Sequence, residues 1–309
     1  MRLTELFYIL LKNNIYTSGI IAFMKFNKTY LILFLGMTLW GMYPLFTHKF
    51  VLGIDPLFLV SVSTLIAAIP FIIQLLIKKE FRQLFSLKNL KTLLLVALFT
   101  AIGQGFLFIG TKLTSGTNTG LLLQSEPIYS LILGVIFLGE VIGASQAGAT
   151  LLMVIGAMTI VYKGGMNLNV GDILILLSPL MFQISHAFGK KLLSKGADIY
   201  LILAGRQFYG GLMLLILAFI FNKSMISLFT FNNLLSTFYL GLFSAIVALC
   251  WYASIKKIPV SVASSFLPLT AVVSLLGSVF FLKEIISVQQ YFGFLFIVGG
   301  MVWQTRLRR

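Results

Sequence analysis

One carboxylate in this 309-residue chain stands where carboxylates rarely do: Glu126 lies in the middle of the apolar run 116–138. Placing it there costs ~2.5–3.5 kcal/mol on insertion scales, and such groups normally mark a functional site. Two roles are open to it: exchange of a proton or contact with a solute, and bracing of the backbone at the adjacent Pro127. Arg206 lies inside an apolar run, eight residues into 198–221 and away from the run ends where the other bases of such runs fall. It can hold an anionic solute, pair with Glu126 or snorkel to the nearer surface, and snorkelling or a structural pair is expected. Gln183 and His186, three residues apart, share one helix face, and an imidazole changes charge near neutral pH. A hydrogen-bonded structural histidine is the competing role. Trp40, Tyr43 and Thr47 also share a face. Trp40 is ten residues into its run, far from the ends where interfacial tryptophans sit, so this face lines a cavity or is aromatic packing.

These groups do not form a reaction centre. The eight acids are scattered, and there is no paired-aspartate motif, no H-E-x-x-H and no G-x-S-x-G. Two histidines and a single cysteine, Cys250 within an apolar run, make neither a histidine-rich metal site nor an intrachain disulfide. No enzyme activity, metal or cofactor is expected. Nothing resembles a carbonyl filter or a ring of like charge, which disfavours a channel.

The elements that position such residues follow from composition. Charged residues are 10% of the chain, apolar and aromatic residues 59%, and the mean hydropathy is +1.02. A soluble domain carries ~25% charge. The net charge of +15 suggests nucleic acid, yet the bases sit singly or in pairs between apolar runs, so no nucleic-acid partner is expected. The chain reads as an all-α polytopic membrane protein. Breaks divide it into ten spans: 30–49, 56–77, 91–111, 116–138, 145–163, 171–193, 198–221, 234–254, 260–281 and 287–305. Counting bases on alternate sides gives 17 on the side of both termini and five opposite. That asymmetry puts both termini in the cytoplasm.

The chain also repeats itself. Residues 112–160 match 256–304, ungapped, at 13 of 49 positions, among them Glu140/Glu284, Gln146/Gln290 and Gly156/Gly300. Each half holds five spans, an odd number, so the second half is inverted relative to the first. Inverted repeats are typical of secondary transporters, with a site near the midplane. The prolines agree: Pro44, Pro127, Pro179 and Pro268 fall inside spans 1, 4, 6 and 9, which are repeat partners. Each frees a carbonyl four residues back, that of Ser264 for Pro268, and in lipid such a group must face protein or water.

These residues resemble the drug/metabolite transporter superfamily in its ten-helix EamA branch, over about residues 30–305. The resemblance rests on Trp40-Gly41, Gln124-Ser125-Glu126-Pro127 and Leu138-Gly139-Glu140 with Gln146 and Gly156. In the second half it rests on Phe266-Leu267-Pro268-Leu269 and Leu282-Lys283-Glu284 with Gln290, Gly293 and Gly300. It differs at Lys283, where the family usually has glycine, at Ala271, where a proline is typical, and at Ser63, near a frequent arginine. The resemblance implies alternating-access export or exchange of small metabolites, amino acids or drugs across a bacterial-type inner (plasma) membrane. It adds Gln104, Gln124 and Tyr252 to the expected cavity beside Trp40, Tyr43, Thr47, Glu126, Gln183, His186 and Ser264.

The remaining features read as scaffold. Glu140 and Glu284 precede spans 5 and 10, where a carboxylate favours the positive helix N-terminus. Gly148, Gly156, Gly293 and Gly300 allow close helix contact, within a monomer or at a homodimer surface. Trp251 and Trp303 are expected in the interfacial belt. The expected organisation is an extension (1–29), a first repeat (30–164) and a second repeat (165–309).

Overall fold

The computed structural model describes residues 28–114, 116–162, 169–221, 228–273 and 287–306. Among them, six helices are long and apolar enough to cross a membrane. They are span 1 (Lys28–Val51), span 2 (Pro56–Ile77), span 3 (Leu87–Leu113), span 6 (Val170–Ser194), span 7 (Ile199–Phe221) and span 8 (Phe231–Ile255). A 25-residue helix is about 37 Å long, enough for the ~30 Å hydrocarbon layer. Span 5 (Ala144–Val161) and span 10 (Val288–Arg306) are shorter. Span 4 is broken into Gly116–Leu123 and Glu126–Leu138, and span 9 begins as Val260–Ser264.

Local chemistry sets the ends. Asp55 accepts the Phe58 N–H at 2.9 Å ahead of Pro56, which as the first helical residue has no N–H to leave unpaired. Asn169 and Asp172 form a reciprocal capping box at span 6. Leu, Ile and Phe side chains face outward along the spans, for example Leu31, Phe34, Ile216, Ile220 and Phe238, as a lipid-facing surface requires.

The packing is that of two exchanged halves. Span 3 lies on span 6 and span 8 on span 1; span 8 lies on span 2 and span 7 on span 3. Spans 2 and 7, 4 and 9, and 5 and 10 pack on one another. Swapping each span for its repeat partner maps this set onto itself. Spans 5 and 10 meet so closely that a Cβ on Gly156 would lie 2.6 Å from the Gly293 carbonyl oxygen. Those glycines are therefore used within the chain rather than presented to a second copy.

Two expectations change. Pro127 does not kink a continuous helix. Span 4 stops at Leu123 and restarts at Glu126, with Pro127 in the first turn where its missing N–H leaves no ladder bond unmade. Pro179, in contrast, stays within an unbroken helix. Glu140 serves span 9, not span 5: its carboxylate accepts the Val260 N–H at 2.8 Å and the Ser261 N–H at 3.1 Å. Glu284 and residues 1–27 lie outside the described residues.

Candidate substrate cavity

The break in span 4 places Glu126 at the head of a new helix turn, buried at mid-span. Its Oε1 accepts a hydrogen bond from Gln183 Nε2 of span 6 at 2.9 Å. Arg206 is also buried, only 7% exposed, so it does not snorkel. The physical reason is a ready-made acceptor inside. Its Nε donates to Thr100 Oγ1 at 2.8 Å, Thr100 lies 2.8 Å from Ser185 Oγ, and Ser185 donates to the Val96 carbonyl at 2.9 Å. This hydroxyl chain crosses from span 7 to spans 3 and 6. The guanidinium carbon also lies 5.6 Å from the centre of the Tyr252 ring, a cation–π arrangement. Among the described residues the one ion pair within 4.0 Å is Lys78–Asp198, so Glu126 and Arg206 face a common space without a direct bridge.

That space is a cavity of about 70 Å³. Trp40, Tyr43, Gln104, Glu126, His186 and Arg206 line it, as do Gln207, Ser244 and Trp251, with Met37, Leu107, Phe108, Phe182, Val247, Ala248 and Leu267 as the apolar wall. Trp40 stacks on Tyr43 with ring centres 5.2 Å apart, and Gln104 is hydrogen-bonded to Thr64 at 2.9 Å. His186 packs against Trp251 at 5.0 Å and Tyr252 at 5.8 Å.

Of the expected lining residues, Trp40, Tyr43, Gln104, Glu126 and His186 border the cavity, as does Arg206. Thr47, Gln124, Ser264, Gln183 and Tyr252 do not border it. Gln124 donates to the Gly120 carbonyl and Ser264 to the Val260 carbonyl, each satisfying its own helix. Thr47 is buried on the same span as Trp40, outside the lining. Gln183 and Tyr252 act one layer back, on Glu126 and Arg206. Trp251 is a correction: it is 5% exposed and lines the cavity instead of sitting in the belt, because span 8 turns that face to His186. Trp303 is 41% exposed and donates to Ser145 at 2.8 Å. Gln207 and Ser244 were missed. The neighbour of Arg206 and a serine in span 8 carry no spacing signal of their own.

The polar groups here are incompletely paired. Among the described residues, Gln183 Oε1, His186 Nδ1, Gln207 Oε1 and Trp251 Nε1 are buried without a hydrogen-bond partner. A buried unpaired polar group costs ~1–3 kcal/mol, so those that face the cavity are available to a solute or to water. An apolar aromatic wall with a few convergent polar groups is the lining that small-molecule sites present, although about 70 Å³ is well below the ~300 Å³ from which such sites range.

Fold and cavity together define a membrane transporter built from inverted repeats. The chain belongs to the EamA-like transporter family, which matches residues 27–162 and 169–305. It is 25% identical over 258 residues to YoaV, an uncharacterized transporter of Bacillus subtilis (strain 168), covering 82% of this chain and 88% of that one. It is 27% identical over 289 residues to an uncharacterized transporter of Archaeoglobus fulgidus, covering 91% of this chain and all of the relative. A crystal structure at 18% identity superposes with a TM-score of 0.73 over 91% of this chain and 97% of the other, a likeness of fold.

Proposed function

We propose that the chain is a secondary carrier that moves a small solute, in the export direction, through the mid-membrane cavity by alternating access. The observation that carries this reading is the convergence of Glu126, Arg206 and three unpartnered polar groups (His186 Nδ1, Gln207 Oε1, Trp251 Nε1) on one aromatic-lined space at the junction of the repeats. Glu126 and Arg206 supply a polar pair of opposite character. Trp40, Tyr43 and Trp251 supply flat walls for an apolar body. Gln183 and the Thr100–Ser185 chain hold the two charged side chains in place. The 17-to-5 distribution of bases supports both termini lying in the cytoplasm.

A toxicity and metabolite screen tests the reading. Cells expressing the chain should tolerate, or release, one class of small solute, and cells expressing Glu126→Gln at equal membrane abundance should not. Equal tolerance and release in the two strains would remove Glu126 from the site.

A further inference from the structure

The repeated acidic residue of the sequence has a structural consequence at the lysine-rich face, where the turn between spans 8 and 9 lies. Helix ends leave carbonyls and N–H groups without partners, and this turn has both within a few residues. Lys190, near the end of span 6, donates to the carbonyl oxygens of Ile255 and, at 2.9 Å, Ile258. Glu140, just past the end of span 4, accepts the Val260 and Ser261 N–H groups. Gln146 of span 5 adds a hydrogen bond to Ser261 Oγ at 3.3 Å. A cation meets the carbonyls and an anion meets the N–H groups, so the turn is held from both sides by the matching charge.

The chain is shaped to deliver Glu140 there. Gly139 has φ +64°, the left-handed conformation that ends a helix and suits glycine. Its N–H bonds the Val135 carbonyl and that of Glu140 the Gly134 carbonyl, which turns Glu140 back across the helix end. A Cβ on Gly134 would lie 2.8 Å from Glu140 Oε2, so that position is clear for the carboxylate. Glu140 is half-buried and borders a recess of about 340 Å³ with Lys190, Lys191, Lys257 and Pro259.

We propose that Glu140 is the latch of the cytoplasmic gate. It joins the end of span 4, in the first repeat, to the start of span 9, its partner in the second. In that role its two contacts break when the cavity opens to that face. The proposal rests on the alternating-access reading above. It goes beyond it in naming the bonds that hold one state closed.

Accessibility of a cavity cysteine tests it without a known solute. Ser244→Cys in a Cys250→Ser background is labelled with a membrane-impermeant maleimide, in inside-out and in right-side-out vesicles. With Glu140 intact, labelling should proceed from both faces, slowly from the cytoplasmic one. Glu140→Ala should raise the cytoplasmic rate by about tenfold or more and lower the external rate, as the loss of two charge-assisted bonds shifts the equilibrium. A short bis-maleimide joining Leu138→Cys to Ile258→Cys in a chain that retains Glu140 should abolish cytoplasmic labelling without unfolding the protein. Unchanged rates in Glu140→Ala, with labelling from both faces in its parent, would overturn the latch alone. Labelling of the parent from one face only would overturn both the carrier reading and the latch.

Discussion

The two polar regions of this membrane protein are built in opposite ways. At the lysine-rich face, charged side chains meet helix-end groups that match them: Glu140 on two N–H groups, Lys190 on two carbonyls, Lys78 on Asp198 at 2.7 Å. Around the cavity, Glu126 is held by Gln183 and Arg206 by Thr100 and the face of Tyr252, and Gln183, His186, Gln207 and Trp251 each keep a buried polar atom unpartnered among the described residues. The first arrangement lowers the free energy of one conformation. The second leaves polar atoms turned to the cavity available to what enters it. A carrier of the kind proposed needs the two kinds of region in different places, and the inverted repeat supplies them: helix ends at the faces, broken helices at the centre.

The contrast predicts how each region responds to substitution. The largest effect is expected at Arg206, whose buried charge is held by a single hydroxyl acceptor and the face of Tyr252. Arg206→Gln should lower transport at a fixed solute concentration by about a hundredfold, the scale of losing a buried hydrogen-bonded charge. A fall of less than about threefold would place Arg206 among the structural groups. Thr100→Val removes the acceptor while keeping the shape. It should raise the apparent KM for transport and cost about 1–3 kcal/mol of stability by stranding the Arg206 Nε–H, while Ser185 keeps its bond to the Val96 carbonyl. Thermal unfolding in detergent and concentration-dependent flux measure the two.

Trp251→Phe separates the regions most cleanly. The indole N–H has no partner among the described residues, so its removal costs no protein hydrogen bond and stability should change by less than about 1 kcal/mol. Transport should still weaken if the N–H meets the solute. A marked loss of stability with unchanged flux would mean that Trp251 belongs to the scaffold.

The smallest effect is expected at Lys78–Asp198, which ties the ends of spans 2 and 7 at the surface. Burial alone would raise the Asp198 pKa, but the bond from Lys78, the Tyr200 N–H and the nearby Lys78 and Lys256 charges hold it below its ordinary value. The bond to Asp198 in turn raises Lys78 above its own. The stabilisation from Asp198 is present above the usual aspartate range and is lost as pH falls through its lowered value. That from Lys78 is present below the usual lysine range and is lost as pH rises through its raised value. The tie therefore persists across the neutral range. Asp198→Asn should shift the thermal midpoint slightly at pH 7 and not at all once the native carboxylate is protonated.

Much of this was legible in the sequence, and the exceptions have physical causes. Hydropathy and charge breaks placed the described helix ends to within a few residues, because the lipid core enforces length and apolarity; the end of span 9 lies outside the described residues. Repeat arithmetic gave the pairing of the halves. Trp40, Tyr43, Gln104, Glu126 and His186 were placed on the cavity from mid-span position, face or family resemblance. What failed depended on which way a helix turns and on what waits inside. Trp251 has the sequence address of a belt residue, yet its helix directs it at His186. Arg206 has the reach to snorkel, yet Thr100, 106 positions away in the chain, offers an acceptor. Glu140 was assigned to the next helix in sequence when its partners lie 120 and 121 residues on. One-dimensional spacing carries no information on such pairings.

The central claim is that the cavity carries solute between two alternately exposed faces and that Glu126 takes part in binding it. Counterflow in proteoliposomes tests this most directly, with the solute that the expression screen identifies. Labelled solute outside should be driven in by unlabelled solute inside, saturably, through the unmodified protein, and Glu126→Gln should abolish that exchange while inserting and unfolding like its parent. Flux without trans-stimulation, or equal exchange in both proteins, would contradict the account.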